Sequence, residues 1–185
     1  MKLRNERQHA RHSAAPDAGP GPPGVRAADA GLLLLRLTVG LVLAGHGAQK
    51  LFGLFGGHGL EATGKGFALL GYKPGTFFAG LAGASEFLGG LGLALGLLTP
   101  LAAAALIGVM INAMALAADH GLWAEKGGFE YPMTIAVAAL TIAAVGPGRL
   151  SLDLRFPWRN GGWLPAAFAL VAGGVGAVIV LALKG

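Results

Sequence analysis

The stretch that decides the character of this chain covers residues 87–118 and reads FLGGLGLALGLLTPLAAAALIGVMINAMALAA. These 32 residues carry no charged side chain, and only Thr99-Pro100 interrupts their apolar run. A helix that crosses the hydrocarbon core of a bilayer needs about 20 mostly apolar residues. The stretch therefore predicts the second half of one membrane span and the whole of the next, with the chain folding back at Thr99-Pro100.

Glu86 directly precedes this stretch and lies within the same apolar segment. We expect its carboxyl group near mid-bilayer, where insertion of the related Asp costs about 2.5–3.5 kcal/mol. Small residues share its helical face, namely Ala79, Ala82, Gly83, Gly89 and Gly90. Because small residues let helix backbones approach closely, Glu86 should face neighbouring helices. Two roles remain open for it: a proton or ligand path, and a hydrogen bond that only fixes packing.

The composition is typical of a helical membrane protein. Of the 185 residues, 54% are hydrophobic and 12% are charged, against about 25% charged in soluble domains. The Gly, Ala and Leu excess lacks the alternation of a membrane β-barrel, so we predict an all-α fold. The absence of cysteine excludes disulfides and thiolate-held iron–sulfur clusters. Basic residues cluster at helix ends, which does not indicate nucleic acid binding.

Hydropathy divides the chain into a tail, five spans and one interfacial helix. The polar, proline-rich residues 1–30 predict a disordered cytoplasmic tail. Residues 52–75 contain an amphipathic segment that predicts a short interfacial helix, with one face formed by Leu60, Thr63, Gly64, Phe67 and Leu70. The predicted spans are residues 32–51, 76–98, 101–118, 131–145 and 163–183. We expect these helices to pack into one compact bundle.

The distribution of basic residues predicts the orientation. Of the 14 Lys and Arg residues, nine lie on the side of the N-terminus and five on the other, and every arginine belongs to the first group. By the positive-inside rule, the N-terminus is then cytoplasmic and five spans place the C-terminus outside.

The first span carries polar residues near both ends. Arg36 is about one turn inside the cytoplasmic end, and we expect it to extend to the headgroups; an ion pair with Glu86 is the alternative. His46, Gln49 and Lys50 form a cluster near the outer end, at i, i+3 and i+4. At ~1.5 Å per residue, His46 and Glu86 differ in depth by about one turn. They are candidates for an acid–imidazole pair, and a hydrogen bond from His46 to a backbone carbonyl is the alternative.

Polar residues also follow on the later spans. Asn112 lies on a small-residue face of the third span, and we expect it to form an interhelical hydrogen bond. Glu130 begins the fourth span, where an acid complements the dipole at the helix N-terminus. Gln49, Lys50, Asp119 and His120 form a polar cluster at the outer ends of the spans, and for Asp119 and His120 we expect solvated side chains. No closely spaced ligand motif predicts a metal site.

Four motifs follow one another along the first four spans. They are HGAQKLFG at residues 46–53, EFLGG at 86–90, GGFEYP at 127–132 and GPGRLSLD at 146–153. In this order, together with Arg36, they resemble the DoxX family of bacterial membrane proteins. The resemblance implies a four-helix transmembrane bundle over residues 31–153 in the bacterial plasma membrane. Residues 154–185 would then add a loop and one additional C-terminal transmembrane helix. Through the member after which the family is named, the resemblance also implies a subunit associated with a thiosulfate:quinone oxidoreductase.

We therefore expect an accessory membrane subunit of a quinone-linked or other oxidoreductase system. Its intramembrane polar site would comprise His46, Glu86, Asn112, Glu130 and Arg36. Quinone is the cofactor candidate, because its headgroup needs hydrogen-bonding groups in an apolar cleft and a proton route to water, which His46 and Glu86 would supply. We assign no catalytic residue. The expected partners are membrane lipid and an oxidoreductase subunit, and the small-residue faces also permit a homo-oligomer.

Two other function classes remain open from the sequence. One is a small-molecule or proton-linked carrier in which Glu86 titrates during transport. The other is a structural membrane anchor or assembly factor without chemistry of its own, in which Glu86 and His46 only fix packing.

Overall fold

The computed structural model describes residues 27–185, and the predicted disordered tail lies outside this range up to residue 26. The described chain forms six α-helices joined by short loops: α1 (Ala27–Phe52), α2 (Gly59–Leu69), α3 (Gly75–Leu95), α4 (Thr99–Ala117), α5 (Glu130–Val145) and α6 (Trp163–Ala182). Within residues 27–185 there is no β-strand, which confirms the all-α fold class. Because α1 begins at Ala27, residues 27–30 extend this helix instead of belonging to the tail.

Four helices, α1, α3, α4 and α6, are long and apolar enough to cross a membrane. We call the end of the bundle where α1 begins the proximal end, and the end where α1 finishes the distal end. α5 has only 16 residues, or about 24 Å of helix, but it connects the same two ends. At its distal start, the Glu130 N–H donates to the Leu122 carbonyl at 2.8 Å.

Glycines hold α1 and α3 together as an antiparallel pair. A Cβ atom on Gly40 would lie 2.5 Å from the Gly90 carbonyl oxygen, and one on Gly90 would lie 2.5 Å from the Ala44 backbone nitrogen. Further along the pair, a Cβ atom on Gly47 would likewise be too close to the Gly83 carbonyl oxygen. These positions have no room for a side chain, so the two backbones touch, as small residues permit in membranes. The predicted small-residue face of α3 is confirmed.

α1, α3, α4 and α5 form a closed bundle in which each helix contacts the next. Its buried core is aliphatic and includes Leu43, Leu93, Leu106, Ile107, Met110, Ile135 and Ile142. α6 packs outside this bundle against α4 and α5. Its Gly173 touches the α4 backbone, since a Cβ there would lie 2.7 Å from the Ala104 carbonyl oxygen. The four-helix bundle with an additional C-terminal helix is thus confirmed.

Arg36 is buried at the proximal end beneath the loop of residues 146–153. The side chain is 0% exposed. Its Nη1 donates to the Pro147 carbonyl at 2.6 Å and its Nη2 to the Leu150 carbonyl at 2.5 Å. Both expectations for Arg36 are therefore wrong: it neither extends to the headgroups nor pairs with Glu86, because loop carbonyls bind its two Nη nitrogens inside the protein.

The same loop caps α4 through Asp153. The two carboxylate oxygens of Asp153 accept the backbone N–H groups of Leu98 and Thr99, each at 2.8 Å. Such side-chain bonds satisfy N–H groups that have no partner within the helix. α3 ends at Leu95, earlier than predicted, because Gly96 adopts a left-handed conformation at φ 62°.

α2 lies at the distal end against the start of α3. Gly64 packs on Thr76, whose Cγ2 would be 2.6 Å from a Cβ at that glycine. The predicted amphipathic face is only partly turned inward, since Leu60 and Leu70 remain exposed.

Candidate functional site

Glu86 lies midway along α3 and faces α1, with 4% of its surface exposed. One turn earlier, Gly83 allows α1 to approach, since a Cβ there would lie 3.2 Å from the Cβ of Lys50. The structure therefore confirms that the acid faces neighbouring helices and not lipid.

Lys50 is the partner of Glu86. Its Nζ lies 2.6 Å from Glu86 Oε2, and the side chains of Lys50 and Glu86 are 25% and 6% exposed. The lysine leaves the last turn of α1, and its long apolar stem lets the ammonium group reach the carboxylate. Lys50, predicted as a member of the outer-end polar cluster, thus pairs with the acid of the predicted intramembrane site.

His46 lies one turn before Lys50 and faces α5. Its ring meets Tyr131 edge-on, with 6.2 Å between ring centroids and an interplanar angle of 64°. His46 is near enough to Glu86 to act on it electrostatically. Among the described residues, however, the hydrogen bond of Glu86 goes to Lys50. The predicted acid–imidazole pair is not formed.

An apolar cleft of about 590 Å³ adjoins this ion pair. α3, α4 and α6 supply its walls, and Lys50, Phe67 and Tyr72 contribute at the distal end. The volume is within the range of about 300–1,000 Å³ typical of small-molecule sites. Only five of the lining residues are polar, and they come from α1, α3, α4 and the segment before α3: Lys50, Tyr72, Ser85, Glu86 and Asn112.

Asn112 joins the helices that form the cleft. Its Nδ2 donates to the Gly108 carbonyl at 3.1 Å and to the Ala177 carbonyl of α6 at 3.4 Å. The Tyr72 hydroxyl donates to Asn112 Oδ1 at 3.4 Å. Burial raises the pKa of the Tyr72 phenol above its usual value, so it remains a protonated donor. The interhelical hydrogen bond predicted for Asn112 is confirmed.

Comparisons with known proteins identify the family of this chain. The sequence profile described as DoxX matches residues 31–119. An uncharacterized membrane protein of Mycobacterium tuberculosis is 31% identical over 151 residues, which cover 75% of this chain and 85% of that protein. The chain belongs to the DoxX family. The profile match includes the Lys50–Glu86 pair and Asn112, whereas the α6 wall of the cleft lies beyond it. No solved structure matches this DoxX-family protein.

The remaining predicted residues of this DoxX-family protein lie away from the cleft. Glu130 Oε2 accepts the Ala124 N–H at 3.0 Å and holds the loop before α5. Gln49 donates to the Phe55 carbonyl at 3.1 Å, and Asp119 and His120 are exposed as expected. Of the predicted intramembrane set, Glu86 and Asn112 line the cleft, His46 lies toward α5, and Glu130 and Arg36 lie elsewhere. Residues 27–185 contain no group of three or more His, Cys, Asp or Glu that could hold a metal ion.

Sequence reasoning missed two kinds of contribution to the site. The sequence could have indicated Lys50 as the partner of Glu86, because the apolar stem of a lysine in the last turn of a membrane helix can fold inward. Nothing in the sequence indicated that Tyr72, Ser85 and α6 would line the cleft, since their positions depend on how distant helices pack.

Proposed function

We propose that this DoxX-family protein is an accessory membrane subunit of a quinone-linked oxidoreductase and that its cleft holds the quinone headgroup. One observation carries this proposal: an ion pair between Lys50 and Glu86 stands at the polar end of an otherwise apolar cleft of about 590 Å³. Binding sites for small molecules combine apolar walls with a few placed polar groups in this way.

The polar groups suit a quinone ring. Its carbonyl oxygens need donors, and Lys50 lines the cleft with an ammonium group whose three N–H bonds let it keep Glu86 and also donate to a quinone oxygen. Small residues on the facing walls, including Ala105, Gly108 and Gly176, leave space for a flat ring.

The cleft is accessible from the apolar surface of the bundle. Leu81, Leu101 and Ile179 line it and are 43%, 54% and 54% exposed. Since exposed leucine and isoleucine on membrane-spanning helices face lipid, a lipid-dissolved molecule would enter sideways between α3 and α6.

The ion pair also offers a proton route. Glu86 is nearly enclosed while the Lys50 side chain is 25% exposed near the distal end of α1. A proton could therefore pass between water and the cleft through this pair when a quinone is reduced or oxidised. In this proposal the electrons come from the partner oxidoreductase, and the chain itself has no cysteine that could hold an iron–sulfur cluster.

The test is quinone retention by protein extracted gently from a quinone-rich membrane. We expect the wild type to retain quinone and Glu86→Gln to lose most of it. The matched control is Glu61→Gln, because Glu61 is 85% exposed on α2 and pairs with Lys65 at 3.1 Å. Quinone-free wild-type protein, or equal retention by both variants, would overturn the proposal.

The two alternative classes give different results. A proton-linked carrier would show pH-dependent uptake in proteoliposomes that is lost in Glu86→Ala. A structural anchor would still recover its partner after both members of the ion pair are replaced by apolar residues, and it would retain no quinone.

A further inference from the structure

A second cavity of about 470 Å³ lies between α3 and α4 on the proximal side of the cleft. Apart from Ser85, all of its lining residues are apolar. Gly89 and Gly92 form part of its base on α3, and Leu88 and Leu95 stand at its border with 65% and 50% of their surface exposed. We call this cavity the α3–α4 groove.

The cleft and the groove adjoin each other. Ser85, Leu101 and Ala105 line both of them. On α3 the groove extends from Ala84 to Leu95, which is about 16 Å of helix. The polar groups are confined to the distal side of this combined space, and the apolar walls continue toward the proximal end.

We propose that the ligand of the cleft is a long-chain amphiphile, a quinone whose apolar chain lies in the α3–α4 groove while its ring meets Lys50 and Glu86. This inference rests on the proposed function and adds to it the class of quinone and its direction in the site. The ring lies distally and the chain runs proximally, because only that direction pairs the polar groups with the ring and the apolar groove with the chain.

Binding of a matched pair of probes tests this inference. One probe is a dimethoxy-methyl-benzoquinone with a decyl chain, and the other is the same ring without the chain. The ratio of their two dissociation constants measures how much the decyl chain contributes to binding. Partitioning into detergent is the same for every variant, so a change in this ratio between variants reports on the protein.

Ala84→Phe is the decisive variant, because Ala84 lines the groove but not the cleft. We expect its phenyl ring to occupy the path of the chain and to reduce the preference for the decyl probe by about threefold or more. Binding of the chain-free ring should stay unchanged. Ala167→Phe is the matched control, since Ala167 is an exposed residue of α6 that lines neither cavity.

Leu88→Trp gives an independent second variant if Ala84→Phe fails to fold, because Leu88 is exposed at the border of the groove. Equal binding of both probes to the wild type, or a decyl preference that survives in the groove variants, would overturn the inference but leave the proposed function standing. Failure of both probes to bind the wild type would overturn both.

Discussion

Replacing Lys50 by methionine should destabilise the protein strongly. Lys50→Met keeps most of the apolar stem but removes the ammonium group that lies 2.6 Å from Glu86. The Glu86 side chain, only 6% exposed, then has no partner in an apolar interior. Breaking a buried ion pair from one side costs about 3–5 kcal/mol. Because the Lys50 side chain is 25% exposed, we expect the lower limit, a loss of about 3 kcal/mol in the free energy of unfolding.

The reverse change should cost less. Glu86→Gln removes the buried charge and keeps a polar group, and the freed Lys50 can turn outward toward the distal surface. We expect a loss of about 1–2 kcal/mol. In the double variant neither an unpaired carboxylate nor an unpaired ammonium remains buried, so its loss should be smaller than the sum of the two single losses by about 2 kcal/mol.

The free energies of unfolding of the wild type, the two single variants and the double variant are measured in mixed micelles. The signal is the fluorescence of the three tryptophans. Independent sites normally add within about 0.5 kcal/mol. Additivity within that margin would refute the reasoning, because it would mean that Lys50 and Glu86 do not interact in the folded protein.

Two further predictions concern packing and capping. Gly40→Ala should cost about 1–3 kcal/mol, because its Cβ would lie 2.5 Å from the Gly90 carbonyl oxygen. Gly45→Ala on the same helix, with nothing within 4 Å of its Cβ, should be neutral or stabilising; an equal loss in both variants would contradict the backbone contact between α1 and α3. Asp153→Ala should cost about 1–2 kcal/mol in thermal unfolding, because the cap of α4 is lost. Asp119→Ala, at an exposed position, should change stability by less than about 0.5 kcal/mol, and a similarly small effect at Asp153 would count against the cap.

The membrane-spanning elements were predictable from the sequence. The predicted second span, residues 76–98, corresponds to α3 at Gly75–Leu95, and the predicted fifth, residues 163–183, corresponds to α6 at Trp163–Ala182. Span length depends on hydropathy within one continuous segment, so it needs no knowledge of the neighbours. The same holds for the face on which Glu86 lies, because helical periodicity places it among small residues.

The partners of the buried charges were not predictable in this way. Arg36 and Glu86 were both recognised as ionisable groups within apolar helices, but the carbonyl groups that bind Arg36 belong to a loop more than 100 residues later in the chain. Glu86 bonds Lys50 and not His46. The two candidates on α1 are one turn apart, and the choice depends on the rotation of α1 against α3.

The sequence by itself determined that the chain is a membrane protein, where its apolar helices lie, and that Glu86 is turned toward neighbouring helices. All three follow from whether residues that are close together in the sequence prefer lipid or water. Tertiary structure alone decided that Lys50 neutralises Glu86, that Arg36 is covered by a loop, and that α6 completes a cleft beside the ion pair. These outcomes depend on contacts between distant backbones, such as Gly40 with Gly90 and Gly108 with Gly173, which no local pattern encodes.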